Sequence, residues 1–320
     1  MTATLKDVAN AAGVSIRTAG RALHGDGPVK TDVAERVRDA ARNLHYIPNA
    51  AARNLRRRSS RIVGIVIGMN FSTEAGQRRL AALEGKLREY GFYVLIGSLP
   101  SNESALNELL REWAGIVRKV IFLDWHPEWT AETLAGLPPH FLFFDTPMPD
   151  GPFDFLQTDR ASGVAAAIAV LIRSGRKRIA CVFNSGARGR RDGVARAAAG
   201  KPVELISIES AGLEMEDGFA AGDRIAASKA DAAFFSTDRM ALGFYRYAHE
   251  HGIAIPERIA VAGFDNDSAG GFAIPTLTTV AHPDAEAVQC AADWAADSGD
   301  APLRRVFPTL LMERESSRRC

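Results

Sequence analysis

Cysteine is scarce and scattered. Of 320 residues only three are Cys, at positions 181, 290 and 320, with no CxxC spacing and no histidine pair beside them. That excludes a disulfide framework and a thiolate metal site. It suits two ordinary helix or strand residues and a tail thiol in a reducing cytoplasm. No apolar run approaches the roughly 18 residues of a membrane span. The N-terminus has no apolar core of an export leader, so neither secretion nor insertion is expected. GxSxG, a P-loop, HExxH and a GxGxxG after a strand are all missing. The six Met, three Cys and seven His form no cluster with metal-ligand spacing. No catalytic residue, metal or cofactor is therefore expected.

Net charge is nearly absent too, at +1, but it is unevenly distributed. Residues 1–61 hold 12 Lys and Arg against 5 Asp and Glu, or +7, and the remainder holds 27 against 33, or −6. A basic N-terminal module on an acidic body suits a polyanion partner for the first part only. At 47% apolar and 24% charged, the chain has an ordinary globular composition, with length for two or three domains.

What is present is densest in residues 4–24, TLKDVANAAGVSIRTAGRALH. Leu5, Val8, Ala9 and Ala12 fall at i, i+3, i+4 and i+7, the apolar stripe of a short helix. Gly13 and Val14 make a turn, and Ser15 suits the N-cap of a second helix. That helix keeps Thr18, Ala19, Ala22 and Leu23 on its core side. Ile16, Arg17 and Arg21 stay near its start and on its open face. Two short helices joined by a Gly-containing turn, with arginines on the second, describe a helix-turn-helix that reads a DNA major groove. An arginine fork on guanine is the commonest specific contact there. An αα-hairpin with solvated arginines is the plainer alternative for the segment in isolation.

A third helix follows, with Thr31 as N-cap and Val33, Val37, Ala40, Ala41 and Leu44 at helical spacing, stopped by Pro48. Residues 46–61, YIPNAAARNLRRRSSR, then change character. Asn49 can cap a short fourth helix through Ala50, Ala51, Ala52 and Leu55. So little apolar surface leaves it weakly stable alone, able to order on phosphate charge and a partner helix. The plainer alternative is a basic linker.

From Arg61 on, apolar runs alternate with helical stretches. IVGIVI (62–67), FYVLIG (92–97), KVIFL (119–123) and FLFF (141–144) form one series. After a helix over about 160–174, RIACVF (178–183), VELISI (203–208), AAFF (232–235) and RIAVAGF (258–264) form another. Helices are expected near 190–199, 216–228 and 237–251. Continuous apolar strands between helices argue parallel sheets covered on both faces, hence two doubly wound α/β subdomains. LTTV (277–280), a helix near 284–298 and VFPTLLM (306–312) should add back to those sheets. The expected domains are 1–46, a hinge over 47–60, and a core over 61–320. Within the core, one subdomain takes 61–157 plus 284–305 and the other 158–283 plus 306–320. No heptad helix follows to join dimers into tetramers, so a homodimer is expected.

Ligands in such folds sit outside the carboxyl ends of strands, here in a cleft between lobes. Polar and aromatic side chains just past strand ends are the candidates: Met69, Asn70 and Phe71, Asp124, Trp125 and His126, Asp145, Thr237 and Asp238, Asp265, and His282. Arg188, Arg190 and Arg191 lie in the loop after RIACVF. Acidic groups, an Arg and an aromatic ring suit a polyhydroxylated ligand. The arginine cluster hints at an anionic group. Asp238 reads rather as the N-cap of the helix that starts there and Trp129 as packing, and Asp265 reads also as a turn residue.

TLKDVANAAGVS and VKTDVAERVRDAARNLHYIPNAAARNL resemble the headpiece and hinge of the LacI/GalR family of bacterial repressors, and GIAIPERIAVAGFDND and IPTLTTV resemble its ligand-binding core. The resemblance implies a helix-turn-helix headpiece on a periplasmic-binding-protein-like core, binding pseudo-palindromic operator DNA as a homodimer. Ile16, Arg17 and Arg21 would read bases. Ser15, Asn49 and Arg53 would meet phosphates, with Ala52 beside them in the hinge, and Leu55 would wedge into the minor groove. Asp265 and Arg190 would contact a sugar or sugar derivative, with Asp145, Asp124 and His282 facing it in some members and Trp125 or Phe71 stacking. Which of the three loop arginines serves, and whether the ligand releases the operator, stay open. The chain departs from the family at Thr237, usually Asn, and at MNFSTEAG, which lacks the usual Asn-Pro pair. A carbohydrate-binding module without regulation and a carbohydrate-modifying enzyme are the alternatives.

Overall fold

The structure, a computed structural model, describes residues 3–24, 27–46, 60–68, 71, 73–126, 128–134, 140–184, 188–297 and 301–318. The chain forms two compact units, Met1–Ser60 and Arg61–Cys320.

The first unit holds three helices, α1 (Leu5–Ala12), α2 (Ile16–His24) and α3 (Thr31–Asn43). Thr4 caps α1 reciprocally: its backbone N–H donates to the Asp7 carboxylate at 2.8 Å, and its hydroxyl accepts the Asp7 N–H at 3.3 Å. Gly13 closes α1 at φ 66°, a left-handed turn that favours glycine, and the Val14 N–H returns to the Ala9 carbonyl at 3.0 Å. Ser15 caps α2 by accepting the Thr18 N–H at 3.1 Å. The expected cap of α3 is corrected by one residue. Lys30 is the extended residue and Thr31 is already helical, so no hydroxyl caps this helix. It ends before Pro48 can act, because Leu44 leaves the helix and His45 turns left-handed. Val8, Ala9, Ala19, Ala22, Ala34, Val37, Ala40 and Ala41 are buried together. Small residues let the three helices approach closely around a thin core.

In chain order the second unit opens with β1 (Ile62–Ile67), α4 (Glu74–Glu89), β2 (Tyr93–Ser98), α5 (Glu103–Trp113), β3 (Lys119–Phe122), β4 (His140–Phe144) and β5 (Asp154–Thr158). It continues with α6 (Arg160–Arg173), β6 (Arg178–Phe183), α7 (Arg188–Ala198), β7 (Glu204–Glu209), α8 (Met215–Ala220), α9 (Gly222–Ala227), β8 (Ala232–Phe235), α10 (Asp238–Glu250), β9 (Ala260–Ala262) and α11 (Ser268–Phe272). It closes with β10 (Thr279–Ala281), α12 (Asp284–Ala296), β11 (Arg304–Phe307) and β12 (Leu310–Met312).

A first lobe is built on a parallel sheet in the order β11-β5-β4-β3-β1-β2. Leu80, Leu83 and Leu87 of α4 and Ala291, Ala292 and Ala295 of α12 cover one face. Leu106, Leu110 and Trp113 of α5 cover the other. The Trp113 indole packs against β1 and β2 where Gly64 and Gly97 leave room; a Cβ at Gly64 would meet it at 2.5 Å. A second lobe uses β7-β6-β8-β9, also parallel, with α6 and α7 on one face and α8 to α10 on the other. Central strands β3 and β8 are buried at every residue, which is why β8 and all of β3 after Lys119 read as unbroken apolar runs.

Three expectations change. Asp154–Thr158 is a strand, unforeseen because Asp154, Gln157 and Thr158 break its apolar pattern. VFPTLLM is not one strand: Pro308 separates β11, in the first lobe's sheet, from β12, which pairs antiparallel with β10 in the second. The helix expected over 216–228 is two, α8 and α9. The chain thus passes between lobes three times, near residues 159, 283 and 308. No described helix is long and apolar enough to cross a membrane.

Candidate functional site

In the first unit, Ile16 and Arg17 open α2 and are exposed, Ile16 at 44%. Arg21, one turn on, is half-buried and lies over Gly27. The three base-reading candidates therefore share the first turns of a helix whose opposite side, Ala19 and Ala22, is packed away. Ser15 is exposed, and its hydroxyl serves the cap as well. Asn49, Ala52, Arg53 and Leu55 lie outside the described residues.

The second unit gathers its charged side chains where the chain crosses between lobes. Asp145 follows β4 directly and turns the chain at φ 55°; Asp265, past β9, sits at φ 110°. A left-handed backbone disfavours non-glycine residues, so the surrounding structure holds both carboxylates in place. Asp145 is 1% exposed in its side chain. It takes the Thr158 N–H at 3.1 Å and Arg160 at 3.0 Å on Oδ1, and Arg79 at 2.9 Å on Oδ2. His282, following β10, places Nδ1 3.4 Å from Asp145 Oδ2 and Nε2 3.1 Å from Asp265 Oδ1. Arg190 reaches Asp265 Oδ1 only at 3.8 Å and lies over the Phe264 ring.

Electrostatics follow from this packing. Burial alone would raise the Asp145 carboxyl, but Arg160, Arg79 and His282 hold it well below the usual carboxylate range. Burial alone would lower His282, but hydrogen bonding to Asp145 and Asp265 raises it. Burial lowers Arg190 despite Asp265. Asp267 is pushed up to about 6 by burial and by the nearby Asp265 and Glu74.

Some candidates take other roles. Trp125 is 2% exposed and meets Phe122, Phe143 and Trp129 edge to face, so it is a core residue and not a stacking platform. The apolar surface under β3 and β4 claims it. Trp129 packs against it and is buried as well. Asp124 is buried against Gly68 and takes the Trp125 N–H at 2.9 Å. Phe71 is half-buried against the first lobe's core. His126 is exposed and stacks on Trp129. Asp238 is not an N-cap, because Thr237 caps α10 by accepting the Met240 N–H. Asp238 is fully buried, takes the Thr279 hydroxyl at 2.6 Å and the Asp267 N–H at 2.8 Å, and is lifted well above the carboxylate range by burial and Asp265. Met69 and Asn70 lie outside the described residues, as does the Arg188 side chain. The arginine segment is no loop, since α7 begins at Arg188. Its members diverge: Arg190 lies 3.8 Å from Asp265, whereas Arg191 Nη2 donates to both Glu209 carboxylate oxygens at 2.7 and 2.8 Å and the guanidinium covers Phe183.

Arg79, Arg160 and Asp284 were not foreseen. Arg79 bridges Asp145 and Asp284, the latter at 2.9 Å. A signal existed: Arg79 lies four residues before Leu83 and eight before Leu87, on the buried stripe of α4. Arg78 donates to the Asp265 carbonyl at 3.0 Å, and Glu74 accepts from the Ser268 N–H and hydroxyl at 3.0 Å, both across the lobes.

A helix-turn-helix unit followed by two parallel-sheet lobes around a charged cleft defines a ligand-responsive DNA-binding protein by class. Comparison with known proteins places it further. Residues 4–49 match the family described as "Bacterial regulatory proteins, lacI family", and residues 168–317 match the "Periplasmic binding protein-like domain". The ribose operon repressor of Escherichia coli (strain K12) is 28% identical over 335 residues, 98% of this chain and 100% of that protein. The regulator CelR of Thermobifida fusca is 28% identical over 340 residues, 98% of each. A lac repressor dimer bound to operator and the anti-inducer ONPF superposes with TM-score 0.87 at 22% identity, over 99% of this chain and 100% of that one. The chain belongs to the LacI family of bacterial transcriptional regulators.

Proposed function

We propose that this regulator binds pseudo-palindromic operator DNA as a homodimer in the cytoplasm, and that a sugar or sugar derivative held between the lobes changes its operator affinity. The observation that carries the reading is His282 of the second lobe, set between Asp145 of the first and Asp265 of the second at 3.4 and 3.1 Å. A ligand entering there re-pairs charges from both lobes. Its binding energy thereby depends on how the lobes are arranged, which is the condition for a switch. The relatives support the ligand class, since one is named a ribose operon repressor and CelR is known as a complex with cellobiose.

In this reading residues 1–46 bind DNA, 47–60 form the hinge and 61–320 bind effector and partner. The first lobe takes 61–157 plus 284–307, the limit at 307 following the end of β11. Ile16, Arg17 and Arg21 read bases. Ser15, Asn49, Ala52 and Arg53 meet the backbone, and Leu55 meets the minor groove. Asp265, Arg190, Asp145 and His282 hold the effector, with Asp124 and Phe71 at its edge. Arg17→Ala should cost about 1–3 kcal/mol at one base position and relax preference there. A binding-site selection that returned the same operator from the variant would overturn the register of α2. Asp265→Asn should leave operator binding intact and abolish its response to added sugar, read by fluorescence anisotropy on the selected operator.

A further inference from the structure

We propose that Glu74 and Arg78 of α4 latch the first lobe onto residues 265–268 of the second, and that this latch grips more tightly in acid than at neutral pH; its effect on DNA rests on the reading that lobe arrangement governs operator affinity.

The contact is made wholly of protein groups and spans the lobes. Both Glu74 carboxylate oxygens accept the Ser268 N–H, at 3.0 and 3.1 Å, and Oε2 also accepts the Ser268 hydroxyl at 3.0 Å. Arg78, one turn further along α4, donates to the Asp265 carbonyl at 3.0 Å and to Glu74 at 3.3 Å. One turn of α4 thus holds both ends of the segment 265–268. Each cross-lobe bond has one charged partner, which makes it stronger than a neutral pair. All of them need the lobes at the same spacing, so parting the lobes breaks them together.

Asp267 stands inside that segment and ties the latch to protons. It is buried at the N-cap position of α11, yet it makes no side-chain cap bond, and its Oδ1 has no hydrogen-bond partner. The charged groups around it are Asp265 on the same segment, Asp238 and Arg239 on α10, and Glu74 and Arg78 on α4. Both cations are engaged with other groups, Arg239 with Glu214, and Arg78 with Glu74 and the Asp265 carbonyl. Asp238 is itself lifted well above the carboxylate range, so the negative charge comes from Asp265 and Glu74. Burial and those two carboxylates push Asp267 up to about 6. When the lobes part, Glu74 withdraws and Asp267 ionises more readily. Closure therefore takes up a proton, and the latch weakens as pH rises through about 6. His282 also faces Asp265 and acts with the same sign, so substitution has to separate the two.

The test is hydrogen–deuterium exchange of the full chain, read as protection of residues 266–272 relative to the intrinsic rate at each pH. Glu74→Ala should lower that protection about tenfold while β1 and β6 keep theirs. Glu84→Ala, which removes a pair with Arg88 inside α4, is the control and should change nothing there. Between about pH 5.5 and 7.5 the protection of the unaltered chain should fall about threefold, and the fall should vanish in Asp267→Asn. Thermal unfolding checks that each variant is folded. Unchanged protection in Glu74→Ala would overturn the latch. An equal fall with pH in Asp267→Asn would give the proton to His282 and overturn the part assigned to Asp267. Operator affinity of Glu74→Ala, read by fluorescence anisotropy, should differ about threefold or more from that of the unaltered chain. Lost protection with unchanged operator affinity would leave the latch standing and overturn the reading that lobe arrangement governs DNA binding.

Discussion

At the scale of single residues, His282 gives the core a pH dependence of known sign. Its pKa is raised above the usual 6.5 in the folded state because Asp145 and Asp265 outweigh burial. A group raised on folding contributes stability in full below the unfolded value and loses it as pH rises through the folded one. The midpoint of thermal unfolding should therefore fall as pH rises above 6.5, and His282→Gln should flatten that fall. An unchanged slope in the variant would assign it to another group. Arg79 tests the opposite side of the cleft. Its side chain is 11% exposed and pairs with the buried Asp145 carboxylate and the half-buried Asp284. Arg79→Met should destabilise the core by about 3 kcal/mol, since a buried charge then loses a partner. Adding Asp145→Asn should return part of that loss in urea unfolding. Asp265, Asp145 and His282 were legible as positions just past strand ends, and Arg190 as one of three arginines following RIACVF, singled out by the resemblance. Arg79 and Arg160 were not, because an arginine on a helix normally reads as solvated, and only the three-dimensional crossing of the chain shows what they face.

At the scale of elements, the second lobe depends on close helix contact. Gly218 of α8 and Gly243 of α10 face each other's backbones: a Cβ on either would come within 1.8 Å of the Met240 or Met215 carbonyl oxygen. Backbone cannot step aside as a flexible side chain can. Gly243→Ala should force α8 off α10 and cost about 1–3 kcal/mol or more, read as a lowered urea midpoint of the full chain. Gly85→Ala in α4, where nothing lies within 4 Å, is the control and should be neutral or slightly stabilising. Element existence was legible wherever burial imposed a pattern. The runs at 62–67, 119–123, 178–183 and 232–235 are strands because both faces are covered. β5 escaped because it lies beside the edge strand β11 and tolerates Gln157 and Thr158. The division of 306–312 escaped because both halves are apolar, and only the sheets they join distinguish them.

At the scale of the whole molecule, Phe272 and Ile274 are the most exposed large apolar side chains among the described residues. Phe272 ends α11 at 88% exposure, and Ile274 follows at 94%. They stand on a segment held firmly from beneath, because Leu277 is fully buried and its N–H donates to the Gly270 carbonyl at 2.8 Å. Large apolar groups presented on a fixed support mark a contact surface, and in a homodimer the same patch serves both subunits across a two-fold axis. Replacing Phe272 and Ile274 together by Glu should therefore convert dimer to monomer in sedimentation at micromolar protein, under reductant so that Cys320 cannot cross-link the tails. Because both side chains are nearly free of intramolecular packing, the thermal midpoint extrapolated to low concentration should not change. Operator binding should fall far more than either side chain's place in the core unit would suggest, since one helix-turn-helix spans a single half-site and specific affinity needs two. The salt dependence of the residual binding should flatten, because half the phosphate contacts are lost with the partner headpiece. A double variant that still sediments as a dimer would move the interface elsewhere on the core. One that is monomeric yet binds the full operator unchanged would remove dimerisation from the mechanism of recognition.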